Sequence, residues 1–175
     1  MIEIWDALQF EKRGSLRGHK GNVSSFCFGP DGSTLVVGSD DGEVRLWEFP
    51  GRPDQLSLLG HRGNLREVAF SPDGQRLVSG GIDNTARVWD TRTGQELLTF
   101  RGHKGIVTAV AWSPDGKRIV SGDNDQYQIQ VWDPNTGRVE KVIGAAQSGH
   151  TNGVWWVNFN PDGTVLLSGS ADRTV

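Results

Sequence analysis

The stretch from Gly102 to Gly122, GHKGIVTAVAWSPDGKRIVSG, holds most of one unit of an internal repeat. It begins with Gly-His, passes through Pro-Asp-Gly and is followed by Val131-Trp132-Asp133. The same markers recur along the chain at intervals of about 42 residues. Gly-His begins at 18, 60, 102 and 149, Pro-Asp-Gly begins at 30, 72, 114 and 161, and Trp followed by an acid begins at 5, 47, 89 and 132. The sequence therefore repeats one structural unit four times.

The sequence of each unit predicts short strands joined by tight turns. In residues 65–81, LREVAFSPDGQRLVSGG, apolar residues alternate before Pro72-Asp73-Gly74 and resume after it. Proline fixes φ, aspartate caps the turn and glycine allows a positive φ, which is the chemistry of a hairpin. A second turn, a strand ending in Val88-Trp89 and a further strand within GQELLTFRGH complete the unit. We therefore expect an all-β fold made of four-stranded antiparallel sheets.

Composition and charge narrow the classes of function. The 175 residues carry a formal net charge of −3 and a single cysteine, Cys27, so no intramolecular disulfide is expected. The acidic balance argues against a general polyanion binder, and we expect no nucleic-acid partner. The sequence has no apolar run of about 18 residues and no basic, apolar start typical of a signal peptide. We therefore expect no membrane partner, a cytoplasmic location and a single domain of residues 1–175.

The Gly-His, Pro-Asp-Gly and Trp-Asp markers, in this order and at this period, resemble the WD-repeat β-propeller family over essentially the whole chain. The resemblance implies blades of four antiparallel strands. We predict repeats at about 14–53, 54–95, 96–143 and 144–175, with the last completed by residues 1–13. The stretch from Val139 to Gly149 carries extra residues before the fourth Gly-His, and we expect a protruding loop there.

The resemblance also implies a hydrogen-bonded tetrad of His, Ser or Thr, Asp and Trp in each blade. In every repeat the histidine precedes an aspartate by 22 residues. By position, the predicted members are His19, Asp41 and Trp47; His61, Ser79, Asp83 and Trp89; His103, Ser121, Asp125 and Trp132; and His150, Ser168 and Asp172, with Trp5 supplying the missing indole. Val37 stands where the first repeat needs a serine, so we expect the first blade to be weaker than the others.

The repeat phase leaves three ways of closing a ring. Four blades close within one chain, two chains join head to tail as an eight-bladed homodimer, or the chain is a segment of a larger propeller. The family usually uses six to eight blades, which disfavours the four-bladed monomer. The homodimer and the segment of a longer protein both remain open.

The histidine, serine and aspartate of each tetrad have the residue types of a hydrolase triad. They recur in every repeat at strand and turn positions, however, and no Gly-x-Ser-x-Gly elbow accompanies a serine. We therefore predict no catalytic residue and no enzyme. The four histidines belong to four different blades, so we also predict no metal site and no cofactor.

The resemblance implies a binding platform for proteins, with partners docking on the loops after Gly-His and before the tetrad aspartate. Four residues at these positions are our candidate partner-binding residues: Arg66, Ile82, Ile106 and Trp155. Arginine, tryptophan and branched aliphatic side chains are typical anchors of protein interfaces. An alternative for Trp155 is packing against a neighbouring blade. We predict a non-catalytic scaffold for protein–protein interaction; the alternatives are a regulatory sensor segment of a larger WD-repeat protein and a propeller that binds or converts a small ligand.

Overall fold

The structure, a computed structural model, describes residues 1–48, 56–144 and 149–174. The regular structure in these residues is β-strand throughout. The strands in chain order are β1 (Ile2–Trp5), β2 (Lys12–Leu16), β3 (Val23–Phe28), β4 (Thr34–Ser39), β5 (Val44–Glu48), β6 (Leu56–Leu58), β7 (Leu65–Phe70), β8 (Arg76–Gly81), β9 (Ala86–Asp90), β10 (Glu96–Phe100), β11 (Val107–Trp112), β12 (Ile119–Asp123), β13 (Ile129–Trp132), β14 (Val139–Ile143), β15 (Val154–Phe159) and β16 (Leu166–Ser170).

Among the described residues, these strands form three four-stranded sheets and two two-stranded sheets. The four-stranded sheets are β3–β6, β7–β10 and β11–β14, and in each the strands lie side by side in chain order. Every pairing is antiparallel, as consecutive hairpins require. Strand β1 pairs with β2, and β15 pairs with β16. The prediction of an all-β fold with four-stranded antiparallel sheets is confirmed.

The four Pro-Asp-Gly triplets form the turns that join β3 to β4, β7 to β8, β11 to β12 and β15 to β16. In the second repeat, the Gly74 N–H donates to Ser71 O at 2.9 Å, and Gly74 has a φ of +69°. Asp73 Oδ1 accepts from the Ser71 hydroxyl at 2.5 Å and from Gln75 N at 3.0 Å. These bonds satisfy the turn locally, and the positive φ explains why glycine stands third in the triplet.

The sheets stack face to face, because β3, β7, β11 and β15 contact one another in chain order. The apolar core therefore lies between neighbouring sheets. Between the second and third four-stranded sheets, Val78 and Val88 share a cluster with Val107, while the rings of Phe100 and Trp132 stack with centroids 4.3 Å apart. Each sheet thus depends on its neighbours to bury its two faces.

The two-stranded sheets lie at opposite ends of this stack. Ile2 and Leu16 of β1–β2 pack against the cluster that contains Trp47 of β5. Val154 and Val157 of β15–β16 lie in the cluster shared with β11–β14. The three four-stranded sheets therefore separate β1–β2 from β15–β16.

The segment from Val139 to Gly149 corrects one expectation. Its first five residues, Val139–Ile143, form β14 and pair with β13, so they are an outer strand rather than part of a protruding loop. The alternating register with Ile129–Trp132 continues the hairpin pattern of the other repeats. Residues 145–148 of the expected loop lie outside the described residues.

Candidate interaction surface and the networks that support it

The second repeat holds a complete tetrad that connects strands β8 and β9 to the Gly-His turn. His61 Nδ1 lies 3.0 Å from Asp83 Oδ1, and His61 Nε2 lies 2.8 Å from Ser79 Oγ. Trp89 Nε1 donates to the same Ser79 oxygen at 2.8 Å. An imidazole that donates to Asp83 through Nδ1 accepts from Ser79 through Nε2, so each polar atom of the network has a partner.

The tetrad aspartate also accepts hydrogen bonds from the backbone of two segments, the Gly-His turn and the turn that follows β8. Asp83 accepts from Arg62 N at 3.0 Å and from Thr85 N at 3.2 Å. Burial of the carboxyl group by itself raises its pKa, but the hydrogen bonds from His61 and Arg62 outweigh burial and hold the pKa of Asp83 below its usual range. The carboxylate is therefore ionised at neutral pH and acts as a fixed acceptor that joins two loops.

In the third repeat the acid of the tetrad is Asp123, which corrects the expectation of Asp125. His103 Nδ1 lies 2.7 Å from Asp123 Oδ2, and His103 Nε2 lies 2.6 Å from Ser121 Oγ. Trp132 Nε1 donates to that serine at 3.0 Å. Asp125 lies exposed on the turn between β12 and β13.

Strand geometry explains the exchange of Asp125 for Asp123. Asp123 pairs with Val107 in the register where Gly81 pairs with Leu65 in the second repeat. A Cβ placed on Gly81 would lie only 3.0 Å from His61 Nδ1, so a side chain at this register points straight at the tetrad histidine. The extra residue before Trp132 lengthens the following turn and leaves Asp125 at its tip.

The first repeat lacks the bridging hydroxyl, as the valine at position 37 predicted. His19 Nδ1 lies 3.1 Å from Asp41 Oδ2, but His19 Nε2 and Trp47 Nε1 are buried without a hydrogen-bond partner. Burial lowers the pKa of His19 despite the nearby Asp41 carboxylate. For Asp41, burial raises the pKa, but the N–H groups of Lys20 and Glu43 outweigh it and lower the pKa to about 2. A buried polar atom without a partner costs about 1–3 kcal/mol, so this network holds its blade less firmly.

The fourth repeat has three tetrad members together. His150 Nε2 lies 2.8 Å from Ser168 Oγ, and His150 Nδ1 lies 3.1 Å from Asp172 Oδ2. Within the described part of the chain, no indole donates to Ser168. Trp5, assigned to this place from the sequence, is 56% exposed on β1.

The complete networks are arranged to hold strands together. Ser79 and Ser121 are fully buried, and each hydroxyl is engaged by an imidazole and an indole. A serine nucleophile must reach a substrate carbonyl, which these two positions do not allow. Across residues 1–48, 56–144 and 149–174, no group of three or more His, Cys, Asp or Glu side chains is arranged to hold a metal ion.

The four candidate partner-binding residues lie at the same end of their sheets. Arg66 and Trp155 occupy equivalent positions, each at the β-bulge near the start of the first strand of a sheet. Ile82 follows the end of β8, where its N–H donates to Asn64 O at 3.0 Å. Ile106 precedes β11, and its carbonyl accepts from Asn124 N at 3.2 Å. These backbone bonds hold the loops on the sheet ends.

Exposure differs among these four side chains. Arg66 is exposed, and Trp155, on the last sheet of the stack, is 54% exposed. Ile82 and Ile106 are half-buried. A Cβ on Gly63 would lie 2.8 Å from Ile82 Cδ1, so Ile82 covers the Gly-His turn with part of its side chain. We call the surface formed by Arg66, Ile82, Ile106 and Trp155 the loop face.

Sequence reasoning missed one partly buried titratable group, the carboxyl of Glu67. It lies half-buried between two sheets, and its Oε2 accepts from Val110 N at 2.7 Å. Burial raises the pKa of Glu67 to about 7, partly offset by that hydrogen bond. Comparison of the repeats could have revealed it, because Glu67 is a charged residue at the register position that Ser25, Ala109 and Trp156 occupy in the other repeats.

Of the residues described, none belongs to a helix long and apolar enough to cross a membrane.

Comparison with known proteins agrees with the repeat structure. The family described as "WD domain, G-beta repeat" matches residues 10–48, 53–90, 94–133 and 142–175. Apoptotic protease-activating factor 1 of Homo sapiens is 40% identical over 47 residues, which are 27% of this chain and 4% of that protein. The guanine nucleotide-binding protein subunit beta of Schizosaccharomyces pombe is 41% identical over 49 residues, 28% of this chain and 16% of that protein. Protein HIR1 of Cryptococcus neoformans is 41% identical over 46 residues, 26% of this chain and 5% of that protein. Each similarity thus spans about one repeat and a small share of the relative's length.

Proposed function

Because the chain belongs to the WD domain, G-beta repeat family, we propose that it is a non-catalytic scaffold that captures a peptide or a protein domain on the loop face. Networks of buried hydrogen bonds hold the sheets, and loops on such a rigid support are where binding residues concentrate. By their printed names, the relatives include a subunit of a guanine nucleotide-binding protein and a protease-activating factor, which supports a role in protein interaction.

The exposed indole of Trp155 carries this proposal. Tryptophan and arginine are the side chains most enriched among the residues that dominate binding energy at protein interfaces. Trp155 presents a large apolar surface to solvent, and Arg66 presents a planar cation at the equivalent position of another sheet. Ile82 and Ile106 add partly exposed apolar area at the same end of the sheets. A partner segment with an acidic group and an apolar side chain matches this surface.

Selection of peptides from a random display library against the full chain tests the proposal. We expect the selected peptides to bind the wild-type chain, and Trp155→Ala and Arg66→Ala each to weaken binding at least tenfold. Removal of such anchors costs about 1–2 kcal/mol or more, while the melting temperature stays nearly unchanged because both side chains are exposed. Leu97→Ala is the matched control, since Leu97 is an exposed apolar residue on β10. Equal binding by all three variants, or a large loss of stability in Trp155→Ala, would contradict the proposal.

A regulatory sensor segment of a larger WD-repeat protein is the second candidate. The observation in its favour is that each matched relative is many times longer than the segment it shares with this chain. In this case the loop face binds another part of the same protein. Reading the coding sequence on both sides of these residues tests the idea: further WD repeats or an attached effector domain support it, and stop and start signals at the two ends contradict it.

We also propose that the scaffold is a homodimer. The support is that both ends of the stack of sheets expose apolar side chains, among them Phe26 at one end and Trp156 at the other. Large apolar side chains exposed on the face of a sheet are typical of sites of association.

A cytoplasmic location is a further proposal. It rests on the lone, unpaired Cys27, which suits a reducing compartment. Fractionation of cells that express the tagged chain tests it: recovery in the soluble cytosolic fraction supports it, and recovery in the medium or with membranes contradicts it.

A further inference from the structure

Neighbouring sheets meet through the same contact three times along the chain. A glycine in the second strand of one sheet receives an apolar side chain from the first strand of the next sheet. A Cβ on Gly38 would lie 3.1 Å from Val68 Cγ1, a Cβ on Gly80 would lie 3.2 Å from Val110 Cγ1, and a Cβ on Gly122 would lie 3.5 Å from Val157 Cγ1. This contact requires glycine on one side and a branched or larger apolar side chain on the other.

A glycine and an apolar side chain that could form a fourth contact of this kind are both present, and neither has such a neighbour in the same chain. Gly169 of β16 is the equivalent glycine, and its nearest neighbour is Trp156 Cβ of its own sheet at 3.9 Å. Phe26 of β3 is the equivalent of Val68, and it is 62% exposed. The glycine at one end of the stack and the phenylalanine at the other therefore form a complementary pair.

The Pro-Asp-Gly turns repeat a second contact in the same direction. Cβ atoms placed on Gly74, Gly116 and Gly163 would meet the proline ring of the preceding turn at 3.1, 3.8 and 3.4 Å. Gly32, the first glycine in this series, meets nothing within 4 Å, and Pro161, the last proline, is exposed. In this second contact too, Gly32 at one end of the stack and Pro161 at the other both lack the neighbour that the other turns have.

The open tetrad of the fourth repeat supplies a third observation. A cavity of about 420 Å³ is lined by Ile129, Ile143, His150, Ser168, Asp172 and Thr174. In the second repeat the indole of Trp89 donates to the equivalent Ser79. Trp5 carries the same Trp-Asp sequence and stands exposed on β1.

We propose that a second copy of this chain fills these sites, with the β1–β2 hairpin of each copy completing the β15–β16 sheet of the other. By the pairing of β8 with β9, in which Leu77 lies opposite Trp89, Leu166 pairs with Trp5 of the second copy. The Trp5 indole then donates to Ser168 Oγ. The inference rests on the proposed homodimer and specifies the surfaces, the register and the residues that meet.

The exposure of Trp5 favours a second copy over closure within one chain, because Trp5 is 56% exposed and, among the described residues, no indole donates to Ser168. Three four-stranded sheets separate β1–β2 from β15–β16, and β1–β2 packs on the outer face of β3–β6. Two copies joined at both ends form a ring of eight four-stranded sheets with twofold symmetry. Head-to-tail contacts of this type close into a ring, and each composite blade then has four strands like the other sheets.

Engineered cysteines test the register directly. In a Cys27→Ser background, Ile4→Cys and Leu167→Cys place two thiols opposite each other, as Val88 lies opposite Val78. We expect a disulfide-linked dimer of twice the 19.1 kDa chain mass on a non-reducing gel. The control pairs Ser15→Cys with Leu167→Cys, because Ser15 lies on β2, one strand farther from β16, and should give no cross-link.

The other outcomes separate the possible failures. A disulfide within a single chain shows closure without a second copy and overturns the inference. A chain that sediments as a dimer but does not cross-link dimerises through another surface, so this inference fails and the proposed homodimer stands. A chain that sediments as a monomer overturns both.

The dissociation constant of the dimer provides a second test, measured on a Trp5→Phe variant that lacks the indole N–H. Trp5 is exposed within one chain, so Trp5→Phe should leave the folding of a single copy unchanged. We expect the dimer dissociation constant of Trp5→Phe to rise about tenfold, the worth of one buried hydrogen bond. Leu97→Ala should leave this constant unchanged. An unaltered constant for Trp5→Phe would overturn the assignment of Trp5 to Ser168.

Discussion

Buried polar atoms at single positions decide how firmly each sheet is held. In the second repeat Ser79 gives both His61 and Trp89 a partner, and in the first repeat Val37 gives His19 and Trp47 none. The difference is one side chain at one register position. It turns a satisfied network into one with two orphaned polar atoms.

Val37→Ser should therefore stabilise the protein. A hydroxyl at this position accepts from Trp47 Nε1 and donates to His19 Nε2, and relief of two orphaned atoms exceeds the loss of the valine methyl groups. We expect the free energy of unfolding in urea to rise by about 1 kcal/mol. The control is Val36→Ser, which is equally buried but faces the apolar core, and it should lower stability by about 2 kcal/mol. Equal destabilisation by the two changes would contradict the account.

Glu67 makes stability depend on pH. Burial raises the pKa of its folded-state carboxyl to about 7, above the usual value of about 4.3 in an unfolded chain. The folded protein therefore holds more protons between these values, and stability falls as the pH rises from about 4.5 to 7. We expect Glu67 to account for a loss of about 3 kcal/mol across this range.

Glu67→Gln isolates this effect, because it keeps an acceptor for Val110 N but cannot ionise. The difference in free energy of unfolding between the variant and the wild type, measured by urea titration at several pH values, should grow between pH 4.5 and 7. Contributions from the histidines cancel in this difference. A difference that stays constant with pH would show that Glu67 does not titrate in this range.

At the scale of strands and turns, periodic markers made the elements predictable. Turn residues at fixed spacing and alternating apolar residues specified the hairpins, because a one-residue shift would turn every core side chain outward. The same logic failed at Asp125, where an extra residue before Trp132 lengthened a turn that the spacing rule treated as constant. It also failed at β14, because Val139–Ile143 is an exposed outer strand in which the apolar residues do not alternate with the polar ones.

The exchange of Asp125 for Asp123 predicts opposite effects at two neighbouring acids. Asp123→Ala removes a fully buried carboxylate from His103 Nδ1 and should lower the free energy of unfolding by about 3 kcal/mol. Asp125→Ala removes an exposed side chain and should change it by less than about 0.5 kcal/mol. Urea unfolding of the two variants under identical conditions makes the comparison. A larger loss for Asp125→Ala would restore the 22-residue spacing rule.

At the scale of the whole molecule, the sheets form a stack in which each interface repeats the last. The sheets inside the stack bury both faces against their neighbours, whereas Phe26 at one end and Trp156 at the other are exposed. The sequence predicted the blades and the residues that join strands within them, because these depend on local spacing. It left open what covers the ends, because that depends on how β1–β2 and β15–β16 lie relative to each other. The structure supplied the matching halves at Phe26 and Gly169 and the open site at Ser168.

Light scattering of the wild-type chain tests most directly whether two copies cover each other's open ends. The account predicts one species of twice the 19.1 kDa chain mass, unchanged over a wide range of protein concentration. A stable, monodisperse species with the mass of a single chain would contradict it.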